Sequence, residues 1–279
     1  MSLDEDTRIG ALDAVLDEQQ RGHVGLVGRL LGRDANTDSL STDLFGVVDA
    51  LDSSGALRRA LSDPGSAEAA RRQLATGLLK GKVSEEAVNV VAEASAMRWS
   101  GGRALVAALE RQAVRAELLR AEANEQLEEA EDELFRFARL VESTPELRDA
   151  LSDRSVGIAH RQELVDQLLS GKTSDTTVVL AKRAVSARER TFAHTIEGYV
   201  ALAAAQKNRL IATVRVARPL TEEQTARLRA ALSRQAGREV FVQVVVDEQI
   251  VGGVRVELGD EVIEGSVAAR LAEARRLFS

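Results

Sequence analysis

A few short segments of the chain contain residue types that could carry out chemistry. Gly171, Lys172 and Thr173 match the end of the loop that binds nucleotide phosphates, in which a lysine holds the phosphates and a hydroxyl holds magnesium. That loop needs a glycine five residues before Gly171, where this chain has Asp166. Gly171 therefore fits better as the left-handed residue that ends a helix.

The histidines and the glycine pair are equally weak candidates for a site. His23, His160 and His194 are far apart in sequence, and none belongs to the H-E-x-x-H pattern that binds zinc. Gly252 and Gly253 lack the third glycine and the helix start of a dinucleotide-binding loop. We expect that pair to form a turn that links two strands, and we predict neither a metal nor a cofactor.

Ser266 is the remaining candidate for a nucleophile. It follows Gly265, but the G-x-S-x-G pattern that exposes a catalytic serine is missing. A cap at the start of a helix is a sufficient role for Ser266. The paired acids Glu222 and Glu223 also begin a predicted helix, where the helix dipole accounts for them. The sequence therefore predicts a protein that is not an enzyme.

Composition narrows the class of protein further. The 279 residues are 44% hydrophobic and 3% aromatic, and there is no cysteine. Such a core must consist of Leu, Val and Ala, which suits close packing of helices. The net charge is −7, which argues against a nucleic acid partner. No apolar run is long enough to insert into a membrane.

The chain contains a long internal repeat. Residues 44–98 and 134–188 align without a gap, with 20 identities in 55 positions at an offset of 90 residues. A fixed period indicates a duplicated structural unit. A chain that lengthens itself by copying a helical module resembles a spacer or adaptor more than an enzyme.

Apolar residues in the repeat recur at helical spacing, and polar residues mark the helix ends. We predict that Ser66 and Ser84 cap helix starts and that Gly81 ends a helix. The acidic cluster at 125–133 is interpreted as a solvated helix face. Trp99 is expected in the core, although an interface role stays open. A further helix is predicted from Leu3 to Leu31.

After residue 207 the hydrophobic period changes from 3.6 to 2 residues. Strands are predicted at 209–217, 240–246 and 254–258, with a hairpin that leads to Val262 and a last helix after Ser266. Thr221 and Gln224 form a capping box for an intervening helix. We expect the segment between Ala205 and Arg209 to act as a joint.

The predicted fold class is mainly α with a small α+β carboxy-terminal domain: a duplicated helical bundle followed by a small sheet packed with helices. Residues 1–102 form the first copy of the helical module, 103–206 the second copy, and 207–279 the α+β domain.

The carboxy-terminal sequence resembles the delta subunit of bacterial F-type ATP synthases, a family related to the mitochondrial oligomycin-sensitivity-conferring protein. The resemblance covers about residues 103–279, and two positions depart from the family pattern: Glu248 replaces a proline and Glu264 an aspartate. The pattern consists of acids, an aliphatic residue, glycine pairs and an Arg-Leu step, here Asp247, Ile250, Gly252, Gly253, Gly259, Asp260, Gly265, Ser266, Arg270 and Leu271. These residues are expected to be architectural.

The resemblance implies a stator subunit in a hetero-oligomeric complex. The helical domain would bind the amino-terminal helix of an alpha subunit in a groove between its first and fifth helices, and the carboxy-terminal domain would bind the carboxy-terminal end of the b subunit. The groove residues would be Leu105, Leu109, Val178, Ala181 and Val185, each of which could instead belong to the core. Residues 1–102 resemble an extra copy of the helical domain. The protein would be peripheral, on the cytoplasmic face of the bacterial cell membrane.

Two other functions compete with this interpretation. The repeat alone would suit a helical-repeat scaffold or a regulatory binding module unrelated to the synthase. A small hydrolase would depend on Ser266 and scattered acids. Co-purification of the chain with the synthase would distinguish the stator from an unrelated scaffold. Unchanged activity of the Ser266→Ala variant would argue against the hydrolase.

Overall fold

The computed structural model describes residues 3–24, 37–186, 191–207, 210–218, 220–236, 240–246, 253–258 and 261–266. The chain divides into two compact units, Met1–Ala203 and Ala204–Ser279. The helices are α1 (Leu3–Val24), α2 (Thr37–Ser53), α3 (Gly55–Ser62), α4 (Glu68–Leu79), α5 (Glu85–Ala96), α6 (Gly102–Ala123), α7 (Leu127–Ser143), α8 (Pro145–Ser152), α9 (Ile158–Leu169), α10 (Asp175–Val185), α11 (Phe192–Lys207) and α12 (Glu222–Ala236). The strands are β1 (Leu210–Val216), β2 (Val240–Val246), β3 (Gly253–Leu258) and β4 (Glu261–Ser266).

The sequence repeat is also a repeat of helices. Each helix from α2 to α6 begins 90 residues before its counterpart from α7 to α11, as the pairs Thr37 and Leu127 and Gly102 and Phe192 illustrate. The predicted fold class, mainly α with a duplicated helical bundle and a small sheet, is confirmed.

Helix α6 belongs to the packing of both copies. It contacts α1, α2, α3 and α5 of the first copy as well as α7 and α10 of the second. Leu105, Leu109, Ala113 and Leu118 on this helix are all at most 1% exposed. Many of its buried positions are alanine, which lets several helices approach it closely. The first unit therefore has one continuous core, and the sequence boundary at 102/103 does not separate two cores.

The predicted helix ends are largely confirmed. Gly81 and Gly171 have φ values of +73° and +70°, the left-handed conformation that glycine adopts without steric cost. Ser84 caps α5, since its hydroxyl accepts a hydrogen bond from the Ala87 amide. Ser174 caps α10 in the same way. Trp99 is half-buried against the core, and its indole nitrogen donates to the Ala94 carbonyl at 2.8 Å.

The prediction that Ser66 caps a helix is wrong. Helix α4 begins at Glu68, and its cap position is Ala67, which makes no side-chain cap hydrogen bond. The Ser66 hydroxyl donates instead to Asp63 Oδ2 at 2.9 Å, and the other carboxylate oxygen accepts from the Gly65 amide. The Asp63 carboxylate lies in the turn after α3 and accepts the hydrogen bond of the Ser66 hydroxyl. The hydroxyl therefore does not cap α4.

The interpretation of the whole acidic cluster as a solvated face is wrong for Glu133. Its carboxylate accepts from the Ser174 amide at 2.9 Å and from the Ser174 and Thr177 hydroxyls at 2.7 Å each. Asp43, 90 residues earlier, accepts from the Ser84 amide at 2.9 Å. A carboxylate at this position therefore stabilises the start of the fifth helix of each copy, where free amides favour negative charge.

A buried arginine ties helix ends together in each copy. Arg71 is 2% exposed and donates to five backbone carbonyls, those of Asp63, Ser66, Ser95, Ala96 and Met97. Arg161, at the equivalent position, donates to the carbonyls of Leu151 and Val185 at 3.1 and 3.2 Å. Helix carboxyl ends have unpaired carbonyls and partial negative charge, which a guanidinium satisfies.

The second unit contains a four-stranded mixed sheet with the strand order β2-β1-β3-β4. Strand β1 pairs in parallel with β2, connected through α12, and antiparallel with β3, which pairs antiparallel with β4. Leu232 of α12 is buried with Val214, Val242 and Val256 of the sheet. The predicted capping box is confirmed: Thr221 N donates to Gln224 Oε1 at 2.9 Å, and Gln224 N to Thr221 Oγ1 at 3.2 Å.

Candidate functional site

Helix α2 of the first copy packs against α6 and is linked to α10 through Arg183, and we call this set of contacts the inter-copy junction. Its polar and aromatic members come from all three helices: Ser41, Phe45 and Asp49 from α2, Glu110 and Glu117 from α6, and Thr176 and Arg183 from α10. Glu110 binds near the end of α10 and Glu117 near its beginning, so α6 and α10 run antiparallel.

Arg183 is at the centre of one half of the junction. Its guanidinium donates to Glu110 Oε1 at 2.7 Å and to Asp49 Oδ1 at 2.6 Å, and it lies 4.9 Å from the centroid of the Phe45 ring. Burial alone would lower the pKa of Arg183, but hydrogen bonds and charge from Glu110 and Asp49 outweigh burial and raise the pKa. The cation is therefore permanent and links three helices.

Glu117 occupies the other half of the junction. Its side chain is 2% exposed and accepts from Ser41 Oγ at 2.7 Å and from Thr176 Oγ1 at 3.1 Å. The guanidinium of Arg120 pairs with the same carboxylate at 2.5 Å. A buried carboxylate is stable only when it is paired and hydrogen-bonded, and here both conditions are met. The arrangement fixes helices and shows no group positioned to react.

Tyr199 connects α11, the last helix of the helical region, to the inter-copy junction. Its hydroxyl donates to Glu110 Oε1 at 3.3 Å. Burial, followed by the negative charge of Glu110, raises the pKa of Tyr199, so the phenol stays protonated. Phe192 of the same helix makes an edge-to-face contact with Phe137 of α7, with centroids 5.7 Å apart. These contacts hold α11 against α6 and α7.

A second charged cluster joins α1 to α6. Arg115 is 3% exposed and pairs with Asp13 at 3.0 Å and with Asp17 at 2.8 Å. Arg111 pairs with Asp13 as well. Burial raises the pKa of Asp13, but the charges of Arg115 and Arg111 more than offset this and lower the pKa overall. The amino-terminal helix is thus held by buried ion pairs as well as by Leu12 and Leu16.

Most of the predicted partner-binding residues are buried within the chain itself. Leu105, Leu109, Ala181 and Val185 are at most 3% exposed and belong to the continuous core. Val178 is partly buried against that core. Their role in binding a partner stays a prediction. Val179, the neighbour of Val178, is 37% exposed.

The phosphate-loop-like segment forms a helix end. Lys172 Nζ donates to the Leu168 carbonyl at 3.0 Å, and Thr173 Oγ1 donates to the Leu169 carbonyl at 3.2 Å. Both side chains therefore satisfy carbonyls at the end of α9, in place of a phosphate or a metal. Within the residues that the structure describes, there is no cluster of ligands that could hold a metal ion. None of the described helices is both long enough and apolar enough to cross a membrane.

Of the carboxy-terminal signature, only part falls on described residues. Gly253 begins β3, and Gly265 and Ser266 end β4, where they pair with Val254 and Gly253. The remaining signature residues lie outside the described residues, as does the predicted last helix: Asp247, Ile250, Gly252, Gly259, Asp260, Arg270 and Leu271. The architectural roles assigned to the signature, including the Ser266 cap, stay predictions.

The amino-acid sequence is similar to those of ATP synthase delta subunits. The model of the family "ATP synthase delta (OSCP) subunit" matches residues 114–278. The ATP synthase subunit delta of Kineococcus radiotolerans is 45% identical over 89% of this chain and 90% of its own length. That of Thermobifida fusca is 43% identical over 87% and 90%, and that of Parafrankia sp. is 40% identical over 96% of both chains. A chain of the Toxoplasma gondii mitochondrial ATP synthase hexamer has a TM-score of 0.26 at 15% identity, covering 60% of this chain and 95% of its own.

Proposed function

The chain belongs to the ATP synthase delta (OSCP) family, and on that premise we propose that it ties the catalytic head to the membrane-anchored b subunit by binding an alpha amino-terminal helix. As a member of this family it is a structural subunit of the peripheral stalk of F-type ATP synthase and does not catalyse a reaction itself. Family membership removes the basis for an unrelated scaffold and for a hydrolase built on Ser266.

The observation that best supports a mechanical link is the set of charged hydrogen bonds in the inter-copy junction. Arg183 alone is bonded to two carboxylates on two helices and covers an aromatic ring. A stator must transmit force without yielding, and buried charge-assisted hydrogen bonds resist shear better than apolar contact alone because their geometry is directional. The two copies therefore behave as one lever.

We place the alpha amino-terminal helix along the antiparallel pair α6 and α10. Leu105, Leu109, Ala181 and Val185 are buried and would form the floor that supports the groove from beneath. Val178 is partly buried and Val179 is 37% exposed, and we propose that a partner helix contacts these two residues directly. Amphipathic helices bind such grooves through a short row of apolar anchors.

We assign the b subunit to the second unit and the assembled protein to the cytoplasmic face of the bacterial cell membrane. The charge distribution supports this division, because residues 207–279 contain 12 basic and 10 acidic side chains whereas residues 1–206 contain 25 and 34. The second unit can therefore accept an acidic partner segment that the first unit would repel.

The alpha-helix site is tested by measuring binding of an alpha amino-terminal peptide to the full chain and to its Val179→Asp variant. We expect about tenfold or greater loss of affinity, because a carboxylate would be desolvated in the groove. Val156→Asp is the matched control, since Val156 is similarly exposed at 39% but lies in the loop before α9. Equal loss in both variants, or in neither, would contradict the assignment.

A further inference from the structure

Helix α2 of the first copy runs beside α10 of the second copy for about two turns. Near the beginning of both helices, Ser41 and Thr176 donate to the same carboxylate, that of Glu117 on α6. Near the end of both helices, Arg183 donates to Asp49 at 2.6 Å. Because the two early contacts meet and the two late contacts meet, α2 and α10 run in the same direction.

On α10, the residues on the two sides of Arg183 differ in exposure. Leu180 is fully buried, whereas Val179 is 37% exposed. These residues lie about 60° and 40° from Arg183, in opposite directions around the helix. Beyond Val179, Lys182 pairs with Asp166 of α9 at 2.9 Å. Val179 therefore lies between the contact of α10 with α2 and the contact of α10 with α9.

On α2, Phe45 beneath the Arg183 guanidinium also has one buried side and one exposed side. Val48 is buried on one side, whereas Thr42 and Gly46 are exposed on the other. A Cβ atom added to Gly46 would meet no atom within 4 Å. Because α2 and α10 run in the same direction and α6 packs against both, their buried sides face α6. Their exposed sides therefore border one open groove between α2 and α10.

We propose that the alpha amino-terminal helix lies in this groove and contacts both copies of the module, with Val179 on one wall and Gly46 on the other. The proposal rests on the proposed alpha-helix site and adds α2 of the first copy as its second wall. Helix α2 already packs against α6 on this side, so a helix that contacts Val179 lies beside α2. The missing side chain of Gly46 and the short side chain of Thr42 let a helix approach α2 closely. The first copy therefore completes the binding site of the second.

The second wall is tested by measuring binding of an alpha amino-terminal peptide to the full chain and to its Gly46→Glu variant. We expect about tenfold or greater loss of affinity, because the new carboxylate would be desolvated against the peptide. Gly10→Glu is the matched control and should bind like wild type. Gly10 is an exposed glycine within α1, where an added Cβ atom also meets no atom within 4 Å. It introduces the same charge on a helix that does not line the groove.

The outcomes separate this proposal from the alpha-helix site itself. Both glycine variants should unfold at or above the wild-type temperature, because glycine is unfavourable within a helix. Weaker binding by Val179→Asp but not by Gly46→Glu would overturn the shared groove and leave the alpha-helix site in place. Full binding by both of these variants would overturn both proposals. Equal losses for Gly46→Glu and Gly10→Glu would show an effect of net charge alone and would also overturn the shared groove.

Discussion

Phe45 and Phe135 occupy equivalent positions in two copies of one helical module, but only Phe45 is covered by its own chain. Arg71 and Arg161 also differ: among the residues that the structure describes, Arg71 has five carbonyl partners and Arg161 has two. The phenylalanine and the arginine are identical in both copies, whereas their surroundings differ. The first copy is stabilised by contact with the second, whereas Phe135 of the second copy stays half-exposed.

The largest expected difference between the copies concerns the buried arginines. Arg71→Ala should lower the free energy of unfolding by about 3–5 kcal/mol, since it leaves several buried carbonyls without a donor. Arg161→Ala should cost less, about 1–3 kcal/mol, because fewer carbonyls lose a partner. Urea unfolding followed by fluorescence of Trp99, the single tryptophan, reports on this unit. Equal losses would show that the two clamps are energetically equivalent.

The next effect distinguishes the two phenylalanines. Phe45→Ala should destabilise the chain by about 2–4 kcal/mol, because it opens a cavity beneath Arg183 in the inter-copy junction. Phe135→Ala should cost less than about 1 kcal/mol, as expected for an exposed side chain. Thermal unfolding of both variants measures the contrast. A Phe135→Ala variant that is as unstable as Phe45→Ala would mean that α7 is covered within the chain.

Acid should weaken the attachment of α1 in the first copy. Because the pKa of Asp13 is lowered in the folded chain, its charge contributes stability above its unfolded pKa, and that stability is lost as pH falls through the folded value. The stability difference between wild type and Asp13→Asn should therefore be largest near neutral pH and shrink in acid. A constant difference down to acidic pH would show that Arg115 and Arg111 do not stabilise the ionised Asp13.

The smallest expected effects are at the glycines, where the copies should behave alike. Gly81→Ala and Gly171→Ala should each cost about 1 kcal/mol, because alanine is strained at their positive φ. Gly46→Ala is the matched control: Gly46 lies within α2, and an added methyl would meet no atom within 4 Å. Alanine there should raise stability by about 0.5–1 kcal/mol. Destabilisation by all three substitutions would argue against the left-handed turns.

Local signals predicted much of this fold. The Gly81 and Gly171 helix ends and the Thr221–Gln224 capping box depend on neighbours in sequence, and each is present. The 90-residue offset, read directly from the repeat, is present in the helices as well. Contacts between distant residues could not be predicted in the same way. The Glu133 cap spans 41 residues, and the Arg183–Asp49 pair spans 134. Arg71 and Arg161 were visible as an identity within the repeat, but only packing shows that they bind carbonyls.

Because contacts between distant residues could not be predicted, the sequence also did not show that most of the predicted groove residues are buried. Helical periodicity marks Leu105, Leu109, Ala181 and Val185 as apolar, but it cannot say which apolar stripe faces the core when α6 serves two copies. The structure assigns these four residues to the core. The family signature between Asp247 and Leu271 indicated the class of function because it combines many positions of one domain. No single contact had to be predicted.

The central claim is that this chain links the catalytic head to the b subunit. The direct measurement is capture of purified catalytic head on an immobilised soluble fragment of b, with and without the full chain. We predict that the head is retained only when the chain is present, and that Val179→Asp releases the head while the chain itself stays on b. Equal retention of the head without the chain, or no retention with it, would contradict the account.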